Sequence, residues 1–213
     1  MTFSIVARDL QTSEWGVAVQ SKFVAIGALT PWARAGVGAI ATQAWINTTY
    51  GTHGLELLAR GHSPSEIIAQ LTQEDEGRDH RQVGMIGVRD EPATYTGQAC
   101  PSWAGSLIGP HYACQGNFLV SDAPLLDMAR TFEETQGPLY DRLVTALEAA
   151  QAAGGDRRGQ QSAALLVVQA HSGFRGFNDR LIDLRVDDHS TPIKELRRIL
   201  SVRLADTSWL SRG

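Results

Sequence analysis

An α+β domain in which central β-sheets carry helices on their outer faces is the fold this sequence predicts, and three observations predict it. Strand-like and helix-like runs alternate as strands, two helices, strands, two helices, strands and one helix. Helices arriving in pairs suit a doubly wound parallel sheet badly, because that fold places one helix between every two strands. A length of 213 residues, 43% hydrophobic and 20% charged, suits one domain with a substantial core. That domain spans residues 1–205, and 206–213 read as a C-terminal tail, loose or docked by Trp209.

The elements follow in order. Residues 2–8 and 15–23 are β-rich runs joined by the turn-rich connector 9–14. Gly36 to Ala44 is small and apolar, as a strand buried between layers should be. A helix near Thr52–Ala59 stops at Gly61. The next starts at Ser63-Pro64-Ser65-Glu66, with Ser63 as N-cap, Pro64 at N1 and Glu66 completing a capping box. Strands return at 82–89, 93–97 and 111–120. Helices follow at 123–135 and 138–152, the second ending at Gly154-Gly155. Strands at Ser162–Gln169 and Arg180–Val186 precede a last helix from Pro192 to Leu204, whose apolar face is Ile193, Leu196, Leu200 and Leu204. There is no internal repeat and no linker.

Composition excludes several classes of function. Net charge is −4 with no block of like charges, so neither nucleic acid nor a membrane surface is an expected partner. No apolar run reaches the roughly 20 residues of a membrane helix, and no basic segment leads into an apolar one, so the protein is expected in the cytoplasm. Cys100 and Cys114 read as reduced core thiols. The six histidines show no His-x-x-x-His spacing, so neither a metal nor a cofactor is expected. Asp187-Asp188-His189 suits capping of the last helix better than metal binding. Trp32, Trp45 and Trp103 read as core or pocket wall, with core preferred.

The second residue is the chemical focus. Removal of Met1 would leave Thr2 with a hydroxyl nucleophile and a free α-amine, whose ordinary pKa of about 7.7–8.0 allows it to act as the base. What faces Thr2 depends on the hairpin register. If Arg8 opposes Trp15, Thr2 faces Ser21; if Arg8 opposes Gly16, Thr2 faces Lys22. In the second register Thr2, Ser4, Gln20 and Lys22 share one face, and the Lys22 ammonium would favour a deprotonated amine. Lys22 also stands out because the chain has seventeen arginines and only two lysines.

Several stretches together resemble a bacterial family called domain of unknown function 1028. They are Thr2-Phe3-Ser4-Ile5-Val6-Ala7-Arg8-Asp9, Gly16–Phe23, Pro31–Ala39, Gln115-Gly116-Asn117, Gly155–Ala164 and Arg185–His189. That family is assigned to the N-terminal nucleophile (Ntn) hydrolases, so the resemblance implies a four-layer αββα sandwich and hydrolysis of an amide bond. The layout is also similar to proteasome β subunits, where an alanine-rich helix runs into an Asp-x-x-Ser-Gly-Gly turn. Asp156 matches the aspartate of that turn, Gly159 stands in the serine's place, and Ser162 is close by. By order along the chain the resemblance places Arg34, rather than Lys22, where the proteasome carries its essential lysine. Arginine there can stabilise charge but cannot shuttle a proton.

Both basic residues are carried forward, Lys22 first. Gln115-Gly116-Asn117 offers either an oxyanion hole, from its backbone N–H groups or the Asn117 amide, or a β-bulge with Asn117 in the left-handed region. The expected function is an Ntn-type amidohydrolase acting on a small amide or peptide-like substrate. Thr2, Lys22, Arg34, Asn117 and Asp156 are its catalytic set; Ser4, Gln20, Ser21, Gly116 and Ser162 would contact substrate. The rival is a non-catalytic binding or assembly module on the same fold. A homodimer is expected by analogy with other such sandwiches.

Overall fold

The computed structural model describes residues 2–89 and 91–206, so Met1 and the tail with Trp209 lie outside the described residues. In chain order the elements are β1 (Thr2–Asp9), β2 (Glu14–Ser21), β3 (Pro31–Arg34), β4 (Gly38–Ala44), α1 (Thr49–Ala59), α2 (Pro64–Gln73), β5 (Arg81–Gly87) and β6 (Ala93–Thr96). After them come β7 (Gly105–Gly109), β8 (Tyr112–Gly116), α3 (Ala123–Glu134), α4 (Leu139–Ala152), β9 (Ser162–Val168), β10 (Arg180–Val186) and α5 (Pro192–Ala205). They form an α+β fold with two antiparallel sheets. One has the order β10-β9-β2-β1-β8-β7 and the other β3-β4-β5-β6.

Alternation along each strand divides the core. Phe3, Ile5 and Ala7 of β1, with Ala163, Leu165 and Val167 of β9, face outward from the six-stranded sheet. They pack under α3, α4 and α5 through Met128, Leu143, Leu147 and Leu196. On the outer face of the four-stranded sheet, Ile40, Val83 and Met85 pack under α1 and α2 through Tyr50, Leu58, Ile67 and Leu71. The inner faces meet through Val6, Trp15, Val17, Ala39, Ala41, Ile86 and Leu166. Strands β1 and β2 are covered on both faces, which explains why their sequences are nearly continuously apolar.

The predicted boundaries hold best where a cap marks them. The Ser63 side chain accepts from the Glu66 backbone N–H and the Glu66 carboxylate accepts from Ser63 N at 2.9 Å, which is the capping box. Helix α1 begins at Thr49 rather than Thr52, on an Asn47 side chain that accepts the Thr49 N–H at 3.1 Å. Gly51 and Gly54 lower the helical propensity there, yet a Cβ on Gly51 would collide with Trp32 and one on Gly54 with Ile40. They let α1 lie close on its sheet.

Other expectations needed correction. The chain from Pro31 makes two strands, β3 and β4, because Gly36 turns at φ +70° between them. The run 111–120 ends as a strand at Gly116, and Phe118, not Asn117, takes a positive φ of +54°. Strand β7 escaped notice because it is short, bounded by glycines and at a sheet edge, where an apolar pattern is not demanded. Leu204 is 40% exposed, so the buried face of α5 ends at Leu200. Trp45 and Trp103, 65% and 36% exposed, are not core; Trp45 stacks on His80 with centroids 4.6 Å apart. Cys100 and Cys114 are buried and unbridged, and burial pushes both thiols up. Among the described residues no helix is long and apolar enough to cross a membrane.

The carboxylate of Asp75 ties α1 and α2 to β5. Arg81 Nε donates to it at 2.8 Å, and Asn47, the Gly77 N–H and the Tyr50 hydroxyl donate as well. Arg81 chiefly, then the Asn47, Gly77 and Tyr50 donors, hold its pKa well below the usual carboxylate range, against the opposing effect of burial. A depressed carboxylate contributes stability above its unfolded pKa of about 3.9 and loses it as pH falls through the folded value. Asp75→Asn should therefore cost on the order of 2 kcal/mol in urea unfolding at pH 7. The gap from wild type should narrow as the pH is lowered below about 4.

Candidate active site

The hairpin takes the register in which Arg8 opposes Trp15, so Thr2 pairs with Ser21. A one-residue difference in register reverses every facing pair, and here it decides which residues surround Thr2. Thr2 Oγ1 and Ser21 Oγ lie 3.1 Å apart, and β9 continues the row by pairing Ser162 with Ser21. Three hydroxyl-bearing residues thus stand on adjacent strands, all turned toward the space between the sheets. Thr2 is 1% exposed.

Lys22 follows the end of β2, exposed, with its ammonium donating to the Gln160 carbonyl at 3.2 Å. The register that would have set it opposite Thr2 is not formed. Gln20 moves too: it pairs with Phe3 and shares the helix-covered face with Ala18, away from Thr2. Its amide is fully buried, with no hydrogen-bond partner among the described residues. Arg34 sits at the far end of β3, exposed, donating to the Leu55 carbonyl. Its strand partner, Gly38, is five residues along β4 from Gln43, which contacts Thr2; that is about 17 Å. Neither basic candidate adjoins Thr2.

What does adjoin it is a network of neutral side chains spanning both sheets. The Thr2 carbonyl accepts the Asn117 backbone N–H at 3.0 Å and Gln43 Nε2 at 3.3 Å. Gln43 Nε2 also donates to Gln82 Oε1 at 2.8 Å, and Asn117 Nδ2 donates to the same oxygen at 2.8 Å. Gln82 Nε2 reaches the Gly116 carbonyl at 2.8 Å, Thr96 Oγ1 at 2.9 Å and the Gly105 carbonyl at 3.1 Å. Ser4 donates to Gln43 Oε1 and accepts from Gln115 Nε2, each at 2.6 Å. Ser4, Gln43, Gln82, Gln115 and Asn117 are all completely buried. The interior between the sheets is therefore apolar around Trp15 and polar around Thr2.

This geometry revises several expected roles. The Asn117 N–H is spent on the Thr2 carbonyl, so it is not free to receive an oxyanion. Gly116 lies inside the β8 ladder, and a Cβ there would press on Leu119 at 2.6 Å; its missing side chain makes room for packing. Ser162 Oγ donates to the Phe23 carbonyl at 2.5 Å and accepts the Ile26 N–H. Asp156 is buried in its own turn, accepting the Arg158 N–H at 2.9 Å and the Arg158 guanidinium at 3.1 Å. Gly159 stands at φ +98°, a conformation that favours glycine where the proteasome-like turn has serine. The turn reaches Thr2 indirectly, because Arg157 N donates to the Phe118 carbonyl next to Asn117. Among the described residues no group of three His, Cys, Asp or Glu side chains is placed to hold a metal. Thr191 N donates to His189 Nδ1 at 3.0 Å in the turn before α5, but the N-cap residue Thr191 makes no side-chain capping bond, so the expected capping role of Asp187-Asp188-His189 is not formed.

Gln43 and Gln82 went unnoticed in the sequence. The available signal was an amide residue within or at the edge of an apolar strand, which has to find a buried partner. That the partners belong to different sheets is not encoded locally. At the opposite end of β1 a cleft of about 720 Å³ opens, lined by Arg8, Asp9, Glu14, His111, Tyr140 and Arg142 among others. Burial chiefly, with Asp9 adding, raises the Glu14 carboxyl above its ordinary pKa.

The family model described as "Family of unknown function (DUF1028)" matches residues 2–196. The crystal structure of protein SPO2555 from Silicibacter pomeroyi, titled as a member of the same family, superposes with a TM-score of 0.88 at 28% identity. The match covers 98% of this chain and 88% of that one. No curated protein matches the chain.

Because Gln82 binds groups on both sheets, Gln82→Leu should strand several buried polar groups at once. We expect a loss of about 3–4 kcal/mol in urea unfolding. Lys22→Ala, at an exposed site, should change stability by no more than about 0.5 kcal/mol.

Proposed function

The chain belongs to the DUF1028 family, and from the setting of Thr2 we propose that it is an Ntn-type amidohydrolase with a four-layer αββα sandwich fold. One observation carries this reading: Thr2 heads a central strand inside the sandwich, its hydroxyl 3.1 Å from Ser21 Oγ and its carbonyl held from two sides. Such fixation at the start of a strand orients a nucleophile. Two sheets packed face to face with helices on both outer faces support the fold assignment.

Once Met1 is removed, Thr2 Oγ1 attacks the carbonyl carbon of a small amide or peptide-like substrate. Its own α-amine takes the hydroxyl proton, and the Ser21 hydroxyl is placed to pass it on. The tetrahedral intermediate collapses as the C–N bond breaks and the departing amine takes that proton. Water then hydrolyses the resulting ester on Thr2, returning free threonine and releasing the acid. Lys22 and Arg34 take no part in these bond-making and bond-breaking steps, since neither side chain contacts Thr2.

The alternative is a non-catalytic binding module on the same fold. It is favoured by the near-complete burial of Thr2 and by the cleft at the other end of β1.

Two measurements separate these readings. Intact mass of protein from its native host should be one methionine residue lighter than the full sequence; retention of Met1 sinks the amidohydrolase reading. Against a panel of N-acyl compounds, Thr2→Ala should lower turnover by roughly 10³-fold or more. Undiminished turnover in that variant would move the chemistry to another residue.

A further inference from the structure

Two guanidinium groups lie over the ring of Phe118, Arg157 Cζ at 4.9 Å and Arg158 Cζ at 5.1 Å from its centre. The backbone holds them there. Arg157 N donates to the Phe118 carbonyl at 3.1 Å, and Leu119 forms a bridge with Asp156. Arg158 is tied to the buried Asp156. Arg157 is exposed and takes part in none of the ion pairs among the described residues. Lys22 joins the same corner through the Gln160 carbonyl, at the end of the same loop.

Strand order brings this positive charge beside Thr2. Phe118 follows β8, the immediate neighbour of β1, about 5 Å away across the sheet. Of the acidic residues near that sheet end, Asp122 precedes α3 four residues after Phe118, and Asp187 and Asp188 follow β10, three strands or about 14 Å from β1. Asp188 is occupied by Gln161 Nε2 at 3.2 Å. Stacking on an aromatic ring restrains a guanidinium, and its planar fork pairs bidentately with a carboxylate in a way an ammonium does not.

We propose that this corner recognises a carboxylate on the substrate, so that the amides hydrolysed at Thr2 are acidic ones of the N-acyl amino acid class. Arg157 makes the contact; Arg158 and Lys22 add charge. The chemistry rests on the amidohydrolase reading, whereas carboxylate binding does not require that a bond be cleaved.

The experiment pairs two probes that differ only in charge, N-acetylglycine and N-acetylglycinamide, on the full protein with its native N-terminus. Binding is followed by ligand-observed NMR and turnover by release of glycine or glycinamide. N-acetylglycine should bind at least about fivefold more tightly at low salt, and 0.5 M NaCl should remove most of that preference. Arg157→Gln should abolish the preference through KM, and Arg157→Lys should retain part of it. Equal binding of the two probes, no binding of either, or an equal loss for both in Arg157→Gln overturns the inference. Preferential N-acetylglycine binding with no Thr2-dependent turnover leaves the carboxylate site standing and refutes the amidohydrolase reading.

Discussion

The structure turns on the hydrogen-bonded clasp centred on Gln82. Two sheets that met only through apolar side chains would bury the polar end of β1 without partners, at a cost of about 1–3 kcal/mol per group. Gln82 instead gathers Gln43 from its own sheet and Asn117 from the other, while Gln43 and Asn117 both hold the Thr2 carbonyl. Buried amides in contact with one another polarise their neighbours and penalise any rearrangement that breaks one link. The position of Thr2 is a consequence of that clasp.

The same clasp explains why the charged candidates stand apart. A lysine or arginine inside this neutral network would have to be desolvated without a carboxylate to pair with. Lys22 and Arg34 are found where their heads reach backbone carbonyls in exposed positions. Positive charge approaches Thr2 from another direction, on the turn that follows α4, where Asp156 and Phe118 position two arginines. A neutral interior with a basic rim leaves electrostatics to act on what enters the site.

Much of the fold was legible in the sequence because its determinants are local. Ser63, Pro64 and Glu66 specify a helix start by themselves, and the doubly covered β1 and β2 declare themselves as strands by nearly continuous apolar runs. Strand β7 and the early start of α1 were illegible for the opposite reason. An edge strand needs little pattern, and Gly51 and Gly54 are explained by the side chains they avoid on other elements. Of the residues named from the sequence, Thr2, Ser4, Ser21 and Asn117 lie together at one end of the space between the sheets, whereas Gln20 lies on the opposite face and Lys22 and Arg34 stand apart.

The sequence by itself determined that Thr2 begins a β-strand, that this strand turns back on itself through residues 9–14, and that helices arrive in pairs. It left the hairpin register open, since residue composition admits Ser21 or Lys22 opposite Thr2 equally. Tertiary structure decided it. Placing Val6 and Val17 between the sheets and Phe3, Ile5 and Ala18 under the helices excludes the one-residue slip that would set Lys22 opposite Thr2, because that slip would put facing residues on opposite faces of the sheet; Ser21 takes the position. It also brought Gln43, Gln82 and Asn117 together across two sheets, a juxtaposition no spacing along the chain records.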